Sequence, residues 1–77
     1  MNSYYLFEER EKKENEKANI RDSIEGLLNR ISVTDDENER DKAPAHISLL
    51  VSQYVELSRI SHNLFKEINK ELGLEND

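Results

Sequence analysis

Large apolar residues recur along the second half of the chain at one helical period. Ile47, Leu50, Val51, Tyr54, Leu57, Leu64, Phe65, Ile68 and Leu72 share a stripe at 100° per residue. The seam from Ile47 to Ile68 steps by 3, 4, 3, 4, 3 and 4 residues, interrupted by Ser61. Leu49 and Ile60 widen one flank and Val55 the other. The apolar arc is then roughly 240°, against the ≳100° that one packing contact requires. This pattern predicts a helix over 44–72 that is covered on more than one side. Pro44 suits its first turn, and Gly73 suits its C-terminal cap.

The first half repeats the pattern more weakly. Ile20, Ile24, Leu27 and Ile31 lie at spacings of 4, 3 and 4, with Leu28 beside them. Ser3 is a plausible N-cap, so a helix is expected over 3–32. Between Phe7 and Ala18 the run EEREKKENEK is free of large apolar residues. Glu8–Lys12 and Glu9–Lys13 are favourable i,i+4 pairs, so the run can stay helical while wet. Residues 33–43, VTDDENERDKA, read as an acidic connector. Thr34 and Glu37 fit a capping box, and a short helical turn near 35–41 is compatible with it. Strand alternation and hairpin-turn dipeptides are absent. The expected fold is all-α: one domain over 1–77, folded as an antiparallel two-helix hairpin.

Setting Ile31 near Ile47 fixes an expected register. Leu27 and Leu28 then meet Leu50, Ile24 meets Tyr54, and Ile20 meets Leu57, a matched core at the closed end. Farther along, Lys17 falls opposite Ser61, Lys13 opposite Leu64 and Arg10 opposite Ile68. Leu6 and Phe7 return near Leu72 and Leu74. The open half is mismatched, so the hairpin is expected to be completed into a helical bundle by a second copy or a partner protein. An antiparallel homodimer is the simplest closed form. The expected contact surface is Ser61, Leu64, Phe65, Ile68 and Leu72, extended by the cluster Tyr4, Tyr5, Leu6 and Phe7.

Composition narrows the function classes. In 77 residues there is no Cys, and there are two His. Disulfides and thiolate zinc sites are excluded, and neither metal nor cofactor is expected. With 17 acidic and 11 basic residues the net charge is −6. That balance argues against direct nucleic-acid binding and against anionic membrane surfaces. Nothing approaches the ~20 apolar residues of a membrane span. The start of the chain lacks the pattern of a signal peptide, so a cytoplasmic protein is expected. Richness in Lys, Glu, Asn and Ile fits an AT-rich bacterial or phage genome.

Catalytic motifs are missing: there is no glycine-rich phosphate loop, nucleophile elbow or paired His. No small-molecule substrate is evident, and the expected role is non-enzymatic. The leading expectation is a regulator, adaptor or inhibitor that works by helix packing on a protein partner. A second class is an acidic decoy for a nucleic-acid-binding enzyme or repressor, motivated by Asp35, Asp36, Glu37, Glu39 and Asp41. A third comes from a resemblance. Ser52-Gln53-Tyr54-Val55-Glu56 resembles the Ser-Gln-x-Leu-Asp signature of small aspartyl-phosphate phosphatases of sporulating bacteria, which are also helical hairpins. The resemblance implies action on a phosphorylated response regulator, with Glu56 standing where that family has its acting Asp. Ser58 and Arg59 replace the apolar pair expected next.

Overall fold

The computed structural model describes residues 3–73. Two helices, α1 (Ser3–Val33) and α2 (Glu37–Glu71), pack side by side and antiparallel, and no strand occurs among the described residues. The loop between them is three residues, 34–36.

That loop corrects the expected connector. Residues 37–43 are helical, and α2 starts seven residues before Pro44. The local chemistry explains the early start. Asp36 is extended (φ −80°, ψ 111°), and its carboxylate accepts from the Asn38 N–H at 2.9 Å. Glu37 and Glu39 occupy the first turn, where the helix dipole favours negative charge. The Thr34 hydroxyl accepts from the Asp36 N–H at 3.2 Å and donates to Glu39 at 2.8 Å. Arg30 clamps the same carboxylate at 2.6 Å, and Arg40 donates to the Thr34 carbonyl at 2.7 Å. The start signal is therefore Asp36 with Glu39, two residues beyond the Thr34–Glu37 pair. An N-cap of this kind contributes about 1 kcal/mol. Two of the five clustered acids thus have structural partners.

The C-terminal end follows expectation. Leu72 N–H donates to the Ile68 carbonyl and Gly73 N–H to that of Lys70. Gly73 adopts φ +69°, a left-handed value that a glycine reaches without steric cost. Leu74 lies outside the described residues.

A short loop changes the register. Ser61 meets Glu14 rather than Lys17, and Arg10 meets Phe65 rather than Ile68. Both contacts shift by three residues in the same direction, which brings Leu6 level with Ile68. The burial pattern shifts accordingly. Among the described residues only Leu6, Ala43, Ser61 and Ile68 are buried, with Ile68 at 3% exposure and Leu6 at 7%. Of the expected core, Leu28 is exposed, while Ile20, Ile24, Leu27, Ile31, Ile47, Leu50, Tyr54 and Leu57 are half-buried. Each of these is covered by one opposing helix and open on both sides.

The molecule measures 55 × 21 × 15 Å, with a radius of gyration of 17.3 Å. A compact domain of this length would have about 11.5 Å. Accessible surface is 5943 Å², against the ~4900 Å² typical of a folded 9.1 kDa chain. The hairpin is a rod one helix thick, without an enclosed core among the described residues. No described helix is long and apolar enough to cross a membrane.

Candidate functional site

Two opposite faces flank the seam of the rod. On the front face, α1 presents Phe7, Glu14, Arg21 and Leu28, spaced by seven residues. The front edge of α2 presents Val51, Ser58, Phe65 and Leu72 at the same spacing, with Val55, His62 and Asn69 interleaved. Grooves between these edges join Arg21, Ile24 and Glu25 to Val51 and Tyr54, and Arg10, Glu14 and Lys17 to Ser58, Ser61, His62 and Phe65. On the back face Glu16 and Ile20 oppose Gln53, Glu56 and Leu57, and Ser23 and Leu27 oppose His46 and Leu50.

The mismatch expected in the open half is met within the hairpin by cations on aromatic rings. Arg10 Cζ lies 5.1 Å from the Phe65 ring centroid, and Lys17 Nζ lies 5.2 Å from that of Tyr54. Such pairs are worth roughly 0.5–2 kcal/mol, and the cations' aliphatic stems shade the seam. The coverage is incomplete. Arg10 Nε is buried without a hydrogen-bond partner among the described residues.

A polar link crosses the seam between these pairs. The buried Ser61 hydroxyl donates to Glu14 Oε2 at 2.7 Å, and Lys17 Nζ contacts the same oxygen at 3.2 Å. The Ser61 hydrogen bond first, then Lys17, holds the Glu14 carboxyl below its ordinary value. A carboxylate held low is a poor general base at neutral pH, so the pair reads as a register link. Its sign is definite. The folded state favours the ionised form, so the stabilisation is present above the unfolded carboxyl's pKa. It is lost as pH falls through the lower, folded value. In a carbon-detected NMR titration Glu14 should protonate below the ordinary glutamate range, and Ser61→Ala should raise its midpoint. An unchanged midpoint in that variant would remove the Ser61 link.

The sequence-predicted contact residues divide sharply. Leu6, Ser61 and Ile68 are buried inside the hairpin, which corrects their expected place on an open patch. Leu64 is half-buried. Tyr4, Tyr5, Phe7, Phe65 and Leu72 are exposed, but the helical turn spreads the first three around α1. Leu28, Val51 and Val55 also stand exposed, Val55 at 60%, and complete a front face that was not anticipated as a unit. The seven-residue spacing from Val51 to Leu72 was the signal available for it. The anticipated pair Glu8–Lys12 gives way to Glu9–Lys12 at 3.5 Å, one residue closer.

The other two functional readings also acquire geometry. Ser52, Gln53 and Glu56 line one back groove, and Glu56 is exposed with its carboxylate paired to Arg59. Asp36 and Glu39 are engaged in starting α2. No family model, curated protein or solved structure matches this chain.

Proposed function

We propose that this protein is a small helix-packing module: a regulator, adaptor or inhibitor in the cytoplasm whose hairpin is completed into a bundle by another polypeptide. One observation carries the reading. Phe7, Leu28, Val51, Val55 and Phe65 are exposed along one face of a rod whose described residues enclose no core. Large apolar side chains left exposed at both ends of one face favour an interaction site there. Amphipathic faces of helices are a recurring means of recognition between proteins.

Phe65 is the expected anchor, being aromatic and central to the open half. A photo-crosslinking residue at Val55 would identify the bound polypeptide, and the complex would then be rebuilt from purified components. Phe65→Ala should weaken that complex by more than ~30-fold, about 2 kcal/mol, the scale of an interface anchor. Circular dichroism should show the helices retained, because Phe65 is 43% exposed in the hairpin. Undiminished binding by Phe65→Ala would move the contact surface elsewhere. Loss of helicity would make Phe65 part of the hairpin's own core.

A further inference from the structure

We infer that the front face is occupied by a second copy of this chain, related by a two-fold axis along the rod, with both closed ends together. This rests on the helix-packing reading and names its partner.

The first support is area. A face 55 Å long and 21 Å wide exceeds the ~800 Å² per partner of a standard stable interface. One further hairpin therefore suffices to cover it, giving a four-helix bundle.

The second support is self-complementarity. The Glu14–Ser61 and Arg10–Phe65 contacts set α1 and α2 residues level when their numbers total about 75. A two-fold along the rod lays the front edge of α1 on the partner's α2 at the same level. Leu28 then comes level with Ile47 of the partner subunit, about one turn from the partner's Val51, and Phe7 comes level with Ile68 of the partner subunit, about one turn from the partner's Phe65. Between these apolar bands, Glu14 comes level with His62 of the partner subunit. Arg21 lays its stem on Val55 of the partner subunit. Apolar meets apolar, and acid meets a group able to donate.

The antiparallel pairing fares worse. It lays α1 on α1 about a centre near Ile20. Arg21 would then face Lys17 and Arg21 of the partner subunit, and Glu14 would face Glu25 of the partner subunit. Opposed like charges destabilise helix contacts. The cost of the aligned pairing is that two acidic closed ends lie side by side. Those charges are exposed and screened over about 8 Å at physiological salt.

Sedimentation equilibrium at micromolar concentration is expected to give twice the 9.1 kDa of one chain. Val55→Asp should weaken association by at least ~30-fold with helicity unchanged, since Val55 makes little contact within one hairpin. Leu49→Asp, exposed off the front face, should leave the dimer intact. The natural chain has no cysteine, so Asp35→Cys gives one thiol per copy. A short bismaleimide should then link the dimer efficiently, whereas the antiparallel pairing separates these thiols by most of the rod's 55 Å length. A helical 9.1 kDa monomer overturns the inference. So does a dimer that Leu49→Asp breaks as completely as Val55→Asp, or one that fails to cross-link at position 35. A monomer that still binds a foreign protein through Phe65 overturns the inference while leaving the proposed function standing.

Discussion

Ile68→Ala should unfold the hairpin. Ile68 is 3% exposed, the lowest value among the large apolar residues described. Truncating a buried Ile to Ala costs about 2–5 kcal/mol, depending on how far the site collapses. A chain of this length commands about 3–5 kcal/mol in all, so one truncation consumes most of the stability. Leu50→Ala is the instructive comparison. Leu50 lies on the same seam but is half-buried, so less of its surface leaves water and less is lost. Thermal melts followed by circular dichroism should rank Ile68→Ala well below Leu50→Ala. The comparison belongs in the Val55→Asp background, so that the proposed second copy does not contribute to the ranking. The reverse ranking would place the core at the closed end and would contradict the three-residue register shift.

Pro44→Ala should stabilise the protein by about 2 kcal/mol. Pro44 is the eighth residue of α2, so its missing N–H deprives the Arg40 carbonyl of a helical partner. An interior Pro is about 3 kcal/mol less favourable than Ala. Against that, Pro restricts the unfolded chain, and its loss returns up to ~1 kcal/mol of disorder. The helical term is larger. The ring is exposed, so little packing is forfeited. Urea unfolding should show a higher midpoint with an unchanged slope. A neutral or destabilising result would mean that Pro44 stands in the first turn, with 37–43 outside the helix.

The Pro44 case shows why a strong local signal misled. Pro is common at the first helical position, and the acids before it resemble a solvated connector. Asp36 and its neighbours outweigh it through several linked contacts: Asp36 accepts from the Asn38 amide and donates to the Thr34 hydroxyl, which in turn donates to Glu39, clamped by Arg30. Burial of Ala43 beside the proline adds an apolar contact to the same turn. Each of these is a relation in space between residues whose individual preferences are modest. A linear reading weighs Pro44 by itself and cannot sum them.

Much else was legible in residue order. Period determined that both halves are helical, and Gly73 marked the end of α2, which closes at Glu71. EEREKKENEK is helical as expected, but Glu9, Arg10, Lys13, Glu14 and Lys17 are half-buried along the seam rather than wet. Period also determined which angular sector of α2 is apolar, because side-chain direction on a helix depends only on position in the turn. Axial offset is a different quantity. Sliding one helix along another preserves every angular pattern, so periodicity is blind to it, and loop geometry decides. A loop of three residues set the offset. It brought Leu6 level with Ile68, placed Glu14 on Ser61 and Arg10 on Phe65, and left Val51, Val55 and Leu28 exposed. Which apolar residues became buried and which stayed exposed was therefore decided by tertiary structure, because burial depends on what lies level across the seam.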